Sequence, residues 1–241
     1  MKKVLCTFAM LAGFVGSANA THIRLDGPET NLQQIVNDMT VGGTSSVDVL
    51  NDQYALDEVF TTSSILGSNG LIVIELAGYA GVNRFGIYDI NDPTKRLEIF
   101  DGAASAGAGR QFAVGSDGTV YRDWVDTGLS FLTDTFGFYL ETPDGLWYSQ
   151  SNLNADGADH MVAYEGQGDL VKAAFGNLPW ISSVFLLGWE DLAANKWDQD
   201  YNDFVVFVGG IKGTTVPEPT TLGLLSLALA GMGAFGRRRR N

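Results

Sequence analysis

The sequence predicts a mainly β fold, an antiparallel β-sandwich with one short N-terminal helix. Short apolar stretches rich in β-branched and aromatic residues recur along the chain, Gly, Asn, Asp and Pro separate them, and only one segment carries a helical period. That segment follows Pro28, a residue suited to a first helical turn. It places Leu32, Ile35, Val36 and Met39 at i, i+3, i+4 and i+7 on one face, and Gly42-Gly43 stops it. The clearest strands are predicted over 71–77, 85–90, 97–100, 120–125, 136–141, 146–149, 160–164, 183–187 and 204–208. Turns are expected at Asn91-Asp92-Pro93, Ser116-Asp117-Gly118 and Pro143-Asp144-Gly145, and 103–109 reads as a small-residue loop. No internal repeat or charge run marks a second domain, so 21–215 is read as one unit.

The two ends lie outside that unit. Residues 1–20 have the form of a secretory signal peptide: Lys2 and Lys3, an apolar stretch over 4–15, and the small-residue cleavage site Ala18-Asn19-Ala20. The mature chain is expected to begin at Thr21, and Cys6 leaves with the signal. Residues 216–241 run Val216-Pro217-Glu218-Pro219, an uncharged apolar segment over 220–236, then Arg237, Arg238, Arg239, Arg240 and Asn241. As a helix the apolar segment spans about 25 Å, slightly under a ~30 Å hydrocarbon core, a gap that snorkelling arginines close. The arginines favour an in-facing C-terminus by the positive-inside rule. Gly223, Gly231 and Gly233 weaken the segment as a permanent anchor.

This order of Pro-Glu-Pro, apolar helix and arginine cluster resembles the PEP-CTERM sorting signal of Gram-negative bacteria. The resemblance implies recognition and cleavage by an exosortase-type membrane peptidase. It also implies export across the inner membrane, transient anchoring by the C-terminal helix, and delivery to the cell envelope or beyond it.

Charge narrows the functions open to the mature domain. Of 15 basic residues six lie in the end segments, as does one of 28 acids, Glu218; nine basic and 27 acidic residues remain, a formal charge of −18. Such a field repels nucleic acid and attracts cations. With no cysteine left, disulfides and thiolate metal sites are excluded, and a hard cation held by oxygens is the natural brace.

The strongest internal constellation is Trp189-Glu190-Asp191-Leu192, a short loop, then Trp197-Asp198-Gln199-Asp200-Tyr201-Asn202-Asp203 leading into the apolar 204–208. The alternation Asp198-x-Asp200-x-Asn202 points three oxygen-bearing side chains into one concavity. Carboxylates packed so closely repel one another unless a cation neutralises them, and calcium accepts six to eight oxygens at flexible geometry. The segment is no EF-hand, because Asp203 stands at the sixth loop position and Gly209 at the twelfth. The alternative is that these residues cap turns by accepting backbone N–H groups.

Glu-Asp-Leu followed by Asp-x-Asp-Tyr-Asn-Asp and an apolar strand resembles the bacterial extracellular domain of unknown function 4114, over 184–208 and more loosely around Asn83-Arg84-Phe85-Gly86-Ile87-Tyr88-Asp89. The resemblance maps signature acids onto Glu190, Asp191, Asp200, Asn202 and Asp203. It implies an association with calcium-rich adhesins and no established enzymatic activity, calcium binding being inferred from the acids.

A second oxygen-rich loop, Asn152-x-Asn154-x-Asp156-Gly157-x-Asp159-His160, imitates the start of a calcium loop but ends on Ala163 at the twelfth position. Asn154, Asp156 and Asp159 either complete one shared site with the 190–203 cluster or form an ordinary polar hairpin loop. Of the two histidines, His22 falls in a mature N-terminus expected to be loose, and His160 reads as a satisfied structural residue. No Gly-x-Ser-x-Gly elbow and no phosphate-binding glycine loop occurs. Trp124, Trp147, Trp180, Trp189 and Trp197 are expected in the core; several exposed on one face would instead suit sugar stacking.

The expected function is a calcium-braced structural or adhesive protein of the envelope or exopolysaccharide matrix, not an enzyme. The alternatives are a carbohydrate-binding module and a glycan-active enzyme. Extracellular polysaccharide is an expected partner and nucleic acid is not.

Overall fold

The computed structural model describes residues 21–63, 68–75, 81–173 and 176–215; the predicted signal peptide, the sorting tail from Val216 and the end of the predicted strand 71–77 lie outside the described residues. In chain order the elements begin with α1 (Leu32–Met39), β1 (Phe60–Thr62), β2 (Ser68–Glu75), β3 (Arg84–Asp89), β4 (Asp92–Phe100) and β5 (Gly109–Val114). Next come β6 (Thr119–Arg122), β7 (Val125–Ser130), β8 (Thr135–Glu141), β9 (Leu146–Tyr148) and β10 (Met161–Glu165). The order ends with β11 (Asp169–Ala173), β12 (Gly176–Trp180), β13 (Val184–Trp189), β14 (Phe204–Gly209) and β15 (Ile211–Gly213).

The strands form two main antiparallel sheets. One follows the order β15-β1-β8-β3-β4, with β9 also paired to β8, and the other β10-β13-β14-β2-β5-β6-β7; β11 and β12 form a separate hairpin. The inner core between the sheets is aromatic. Phe60, Phe85, Phe136 and Phe138 of one sheet meet Phe112, Phe185, Trp189 and Phe204 of the other, all buried.

The second sheet is covered on both faces along β10, β13 and β14. Along β13 and β14, Phe185, Leu187, Phe204, Val206 and Val208 point into the inner core, whereas Leu186, Val205 and Phe207 point into an outer one. Strands buried on both faces lose the polar half of the β alternation, which is why these read as unbroken apolar runs. Leu32, Ile35, Val36 and Met39 of α1 close the outer core with Trp180 and Tyr164. The helix begins later than Pro28 suggests. Asn31 is the N-cap, its side chain accepting Gln34 N–H at 2.9 Å, so Pro28 lies in the approach to the helix.

The predicted strand 120–125 is instead a hairpin. Asp123 and Trp124 both have positive φ (50° and 67°) and join β6 to β7 with Arg122 paired to Val125. A two-residue turn of this hand matches strand twist but normally recruits Asn-Gly or Asp-Gly, so its sequence signal was missing. Trp147, Trp180 and Trp189 are buried as expected and Trp197 is half-buried, while Trp124 is 57% exposed.

Candidate metal centre

The connection from β13 to β14, residues 190–203, is pinned from several sides. Glu190 N donates to His160 O (3.0 Å), and the N–H groups of Lys196 and Trp197 both turn back to Ala193 O. Asp144 accepts Ala193 N–H at 2.9 Å and pairs with the Lys196 ammonium; Asp156 accepts Ala194 N–H at 2.9 Å. The loop then returns through Gln199 and Tyr201, both left-handed (φ 65° and 54°), which alternate with Asp198, Asp200 and Asn202. A buried tyrosine rarely tolerates this conformation. Here Tyr201 is held by its N–H on Glu190 Oε1 (2.9 Å) and its hydroxyl on Asp159 O (2.7 Å). The loop packs so closely on β13 that a Cβ at Gly188 would lie 2.6 Å from Tyr201 O.

Within this frame one oxygen from each of Glu190, Asp198 and Asp200 falls within 4.8 Å of the others. Glu190, Asp200 and Asn202 are buried, and Asp198 is exposed. Asn202 Nδ2 donates to Asp200 Oδ2 (2.7 Å) and to Thr30 O (2.9 Å), which sets the amide beside the carboxylate. Two buried oxygens, Glu190 Oε2 and Asn202 Oδ1, have no hydrogen-bond partner. Burial, opposed by the Tyr201 N–H and reinforced by repulsion from Asp203, Asp198 and Asp200, pushes the Glu190 carboxyl up to about 9. Burial, then Asp198, pushes Asp200 up to about 6. Buried acceptors are normally satisfied, and unpaired buried carboxylates are costly. Three carboxylates, an amide oxygen and orphaned lone pairs suit a hard cation that prefers oxygen ligands.

The other predicted ligands are placed differently. Asp191 and Asp203 form a separate carboxyl pair: Asp203 Oδ2 accepts Asp191 N–H (3.0 Å), and Asp191 Oδ2 accepts Asn83 Nδ2–H (3.1 Å). Burial raises both, Asp203 to about 8 with repulsion from Asp191 adding to it. The 152–160 loop meets the 190–203 loop, yet its oxygens are committed to other partners. Asn154 accepts Tyr148 N–H (2.7 Å) and donates to Ala158 O, Asp156 also bonds His160 Nε2 (3.1 Å), and Asp159 accepts the Thr21 hydroxyl. His160 itself stacks on Trp147, with ring centroids 4.0 Å apart and planes within 6°, and its Nδ1 lies 3.3 Å from Glu190 O. Burial holds its pKa below the usual range.

The segment from Thr21, expected to be loose, is not. His22 is exposed, but Ile23 is buried in the outer core and Arg24 N donates to Gln199 O (2.7 Å). A Cβ at Gly27 would lie 3.7 Å from Asp200 Oδ2, so residues 21–31 form one wall of the acidic site. The single buried isoleucine of this segment gave no periodic signal, and neither Thr30 nor Asn83 stands near the acids in sequence.

The fold and the site define an antiparallel sandwich with a buried acidic loop between two central strands. Residues 124–210 match the family model for a domain of unknown function, DUF4114, and residues 215–240 match the PEP-CTERM protein-sorting motif. The chain thus carries a PEP-CTERM sorting motif and a segment similar to DUF4114; the motif marks an exported exosortase substrate, anchored transiently in the membrane before envelope or extracellular placement. No curated protein and no solved structure matches the chain. The first match contains the whole acidic loop but starts after Asn83–Asp89. It also lacks β1, β2 and β3, with which β8 and β14 pair, so the strands it covers are completed by earlier ones.

Proposed function

We propose that the exported domain is a calcium-braced structural or adhesive module of the envelope or exopolysaccharide matrix, acting without catalysis. Glu190, Asp198, Asp200 and Asn202 would hold the ion, and Asp191 and Asp203 would support the loop behind them. The observation that carries this reading is the pair of buried, unpartnered oxygens, Glu190 Oε2 and Asn202 Oδ1, in the loop that also gathers three carboxylates. An ion there links the two central strands of the second sheet to the wall formed by residues 21–31. The brace thus acts where the sandwich meets its outer core. A non-catalytic role is supported by the commitment of His160, whose ring nitrogens face Asp156 and Glu190 O. Calcium added to the chelated mature chain should raise its melting temperature, and Asp200→Ala should remove that response; an identical melt with and without calcium would overturn the assignment.

A carbohydrate-binding role has one specific observation in its favour. Trp124 sits exposed at the tip of the β6–β7 hairpin, beside a polar cleft lined by Glu98, Asp101, Arg110, Arg122 and Asp123. An indole held in a left-handed turn is a strained, presented surface of the kind functional sites use. Glycan arrays with wild type and Trp124→Ala test it; binding that survives the substitution and depends on calcium would move the sugar site to the acidic loop.

A further inference from the structure

The far end of the 21–31 segment meets a second group of acids, distinct from the cation site. Thr21 N donates to Gln53 Oε1 (2.7 Å), and Gln53 Nε2 returns to Thr21 O (2.6 Å). The Thr21 hydroxyl donates to Asp159 Oδ2 at 2.5 Å, so that carboxylate lies within a few ångströms of the Thr21 nitrogen. Asp57 lies close enough to Asp159 for the two carboxyl groups to repel one another. Burial pushes Asp57 up to about 8, with repulsion from Asp159 next, and burial pushes Asp159 up to about 6. Among the described residues neither carboxylate has an ion-pair partner. The site therefore sets carboxyl groups without a cationic partner beside a backbone nitrogen that, in the leader-bearing chain, is a neutral amide with one hydrogen.

Signal-peptide cleavage changes that nitrogen. Hydrolysis of the Ala20–Thr21 bond consumes a water, leaves a carboxylate on Ala20 and places a protonated amine on Thr21. We propose that Gln53 and Asp159 form a receptor for this newly made α-ammonium group, and that its capture locks residues 21–31 over the acidic loop. One hydrogen of the ammonium keeps the Gln53 bond, and the others turn to the Asp159 carboxylate already bonded to the same residue's hydroxyl. An ammonium beside a desolvated carboxylate is a charge-assisted bond, stronger than the amide contact it replaces. Ile23 in the outer core and Arg24 N on Gln199 O carry the anchoring on to the loop that holds Asp198 and Asp200. The domain thereby reaches full stability only once its leader is gone, which places the tightening after export. The proposal rests on cleavage after Ala20 and on no bound cation.

The test compares three forms of the mature chain in chelator, so that the cation site plays no part: one with a free Thr21 amine, one Nα-acetylated at Thr21, and one retaining Ala20. Acetylation and the extra residue should each lower the melting temperature by about 4 °C or more. The free amine should also be acylated about tenfold more slowly than that of a short peptide of the same sequence, the effect of one unit rise in its pKa. Asp159→Asn should erase both differences; if that variant does not fold, the labelling rate of the wild-type amine decides. Equal melting of the free and acetylated forms, labelling at the peptide's rate, or a difference that persists in Asp159→Asn would each overturn the proposal. Because every form is compared in chelator, none of these outcomes decides whether the acidic loop binds calcium.

Discussion

Residues 152–160 and 190–203 both set oxygen-bearing side chains at alternate positions, and both turn through left-handed residues, Gly157 in one and Gln199 and Tyr201 in the other. Their chemistry diverges at the donors. In the first loop Asp156 accepts Ala158 N–H, Ala194 N–H and His160, and although burial works to raise its pKa these bonds outweigh it and hold the carboxyl low. In the second, Asp200 is buried with Asp198 as its neighbour and rises to about 6, while Glu190 keeps one oxygen unbonded and rises to about 9. The same spacing yields a self-satisfied turn in one case and an unsatisfied cage in the other. What separates them is how many donors reach each carboxylate against its burial: Asp156 is more open and draws Ala158 N–H, Ala194 N–H and His160, whereas buried Glu190 has Tyr201 N–H on one oxygen and nothing on the other, and alternation does not encode that.

The largest effect that tests the contrast is pH. Without a cation, Glu190, Asp203 and Asp200 hold protons in the folded chain up to about 9, 8 and 6, above their unfolded values. Their stabilising contribution is full below the unfolded pKa and is lost as pH rises through the folded values, at up to about 1.4 kcal/mol per pH unit for each group. Asp156, held low, acts the other way: its contribution is present at neutral pH and lost as the solution is acidified below the usual carboxylate range. Urea titrations in chelator should therefore show stability falling from about pH 5 to about pH 8. Calcium, which needs ionised carboxylates, should flatten that slope. A flat chelator profile breaks the contrast.

Next in size is Asp156→Ala. Removing an acceptor that serves three donors should cost about 1–3 kcal/mol, equally with calcium and without. A cost seen only with calcium would place Asp156 in the cage after all. Asn83→Ala should behave similarly but more weakly, about 0.5–1.5 kcal/mol, because it withdraws one hydrogen bond from the Asp191–Asp203 pair.

How much of this was legible follows from the same physics. The helix showed because Leu32, Ile35, Val36 and Met39 all face the outer core. The central strands showed because burial on both faces makes them continuously apolar. β1 and β15 are three residues long, β5 opens with an exposed Gly109-Arg110, and β11–β12 is a short hairpin interrupted by Pro179, so none carried a recognisable period. At the site, the acids of the 190–203 loop were all visible, but their division was not. Asn83 and Thr30, more than a hundred residues away in sequence, decide that Asp191 and Asp203 pair apart from Glu190 and Asp200.

The cage itself is tested most directly by titrating calcium into the chelated mature chain beside Glu190→Gln, reading binding heat and melting temperature together. For a dissociation constant of about 10⁻⁴ to 10⁻³ M, typical of extracellular modules, millimolar calcium should stabilise the wild type by about 0.4–1.4 kcal/mol. Glu190→Gln should lose that gain, yet be no less stable than the wild type in chelator, because it removes a carboxyl whose ionisation the buried site resists. No binding heat and an unchanged melt in the wild type, or an undiminished calcium response in Glu190→Gln, would contradict the account.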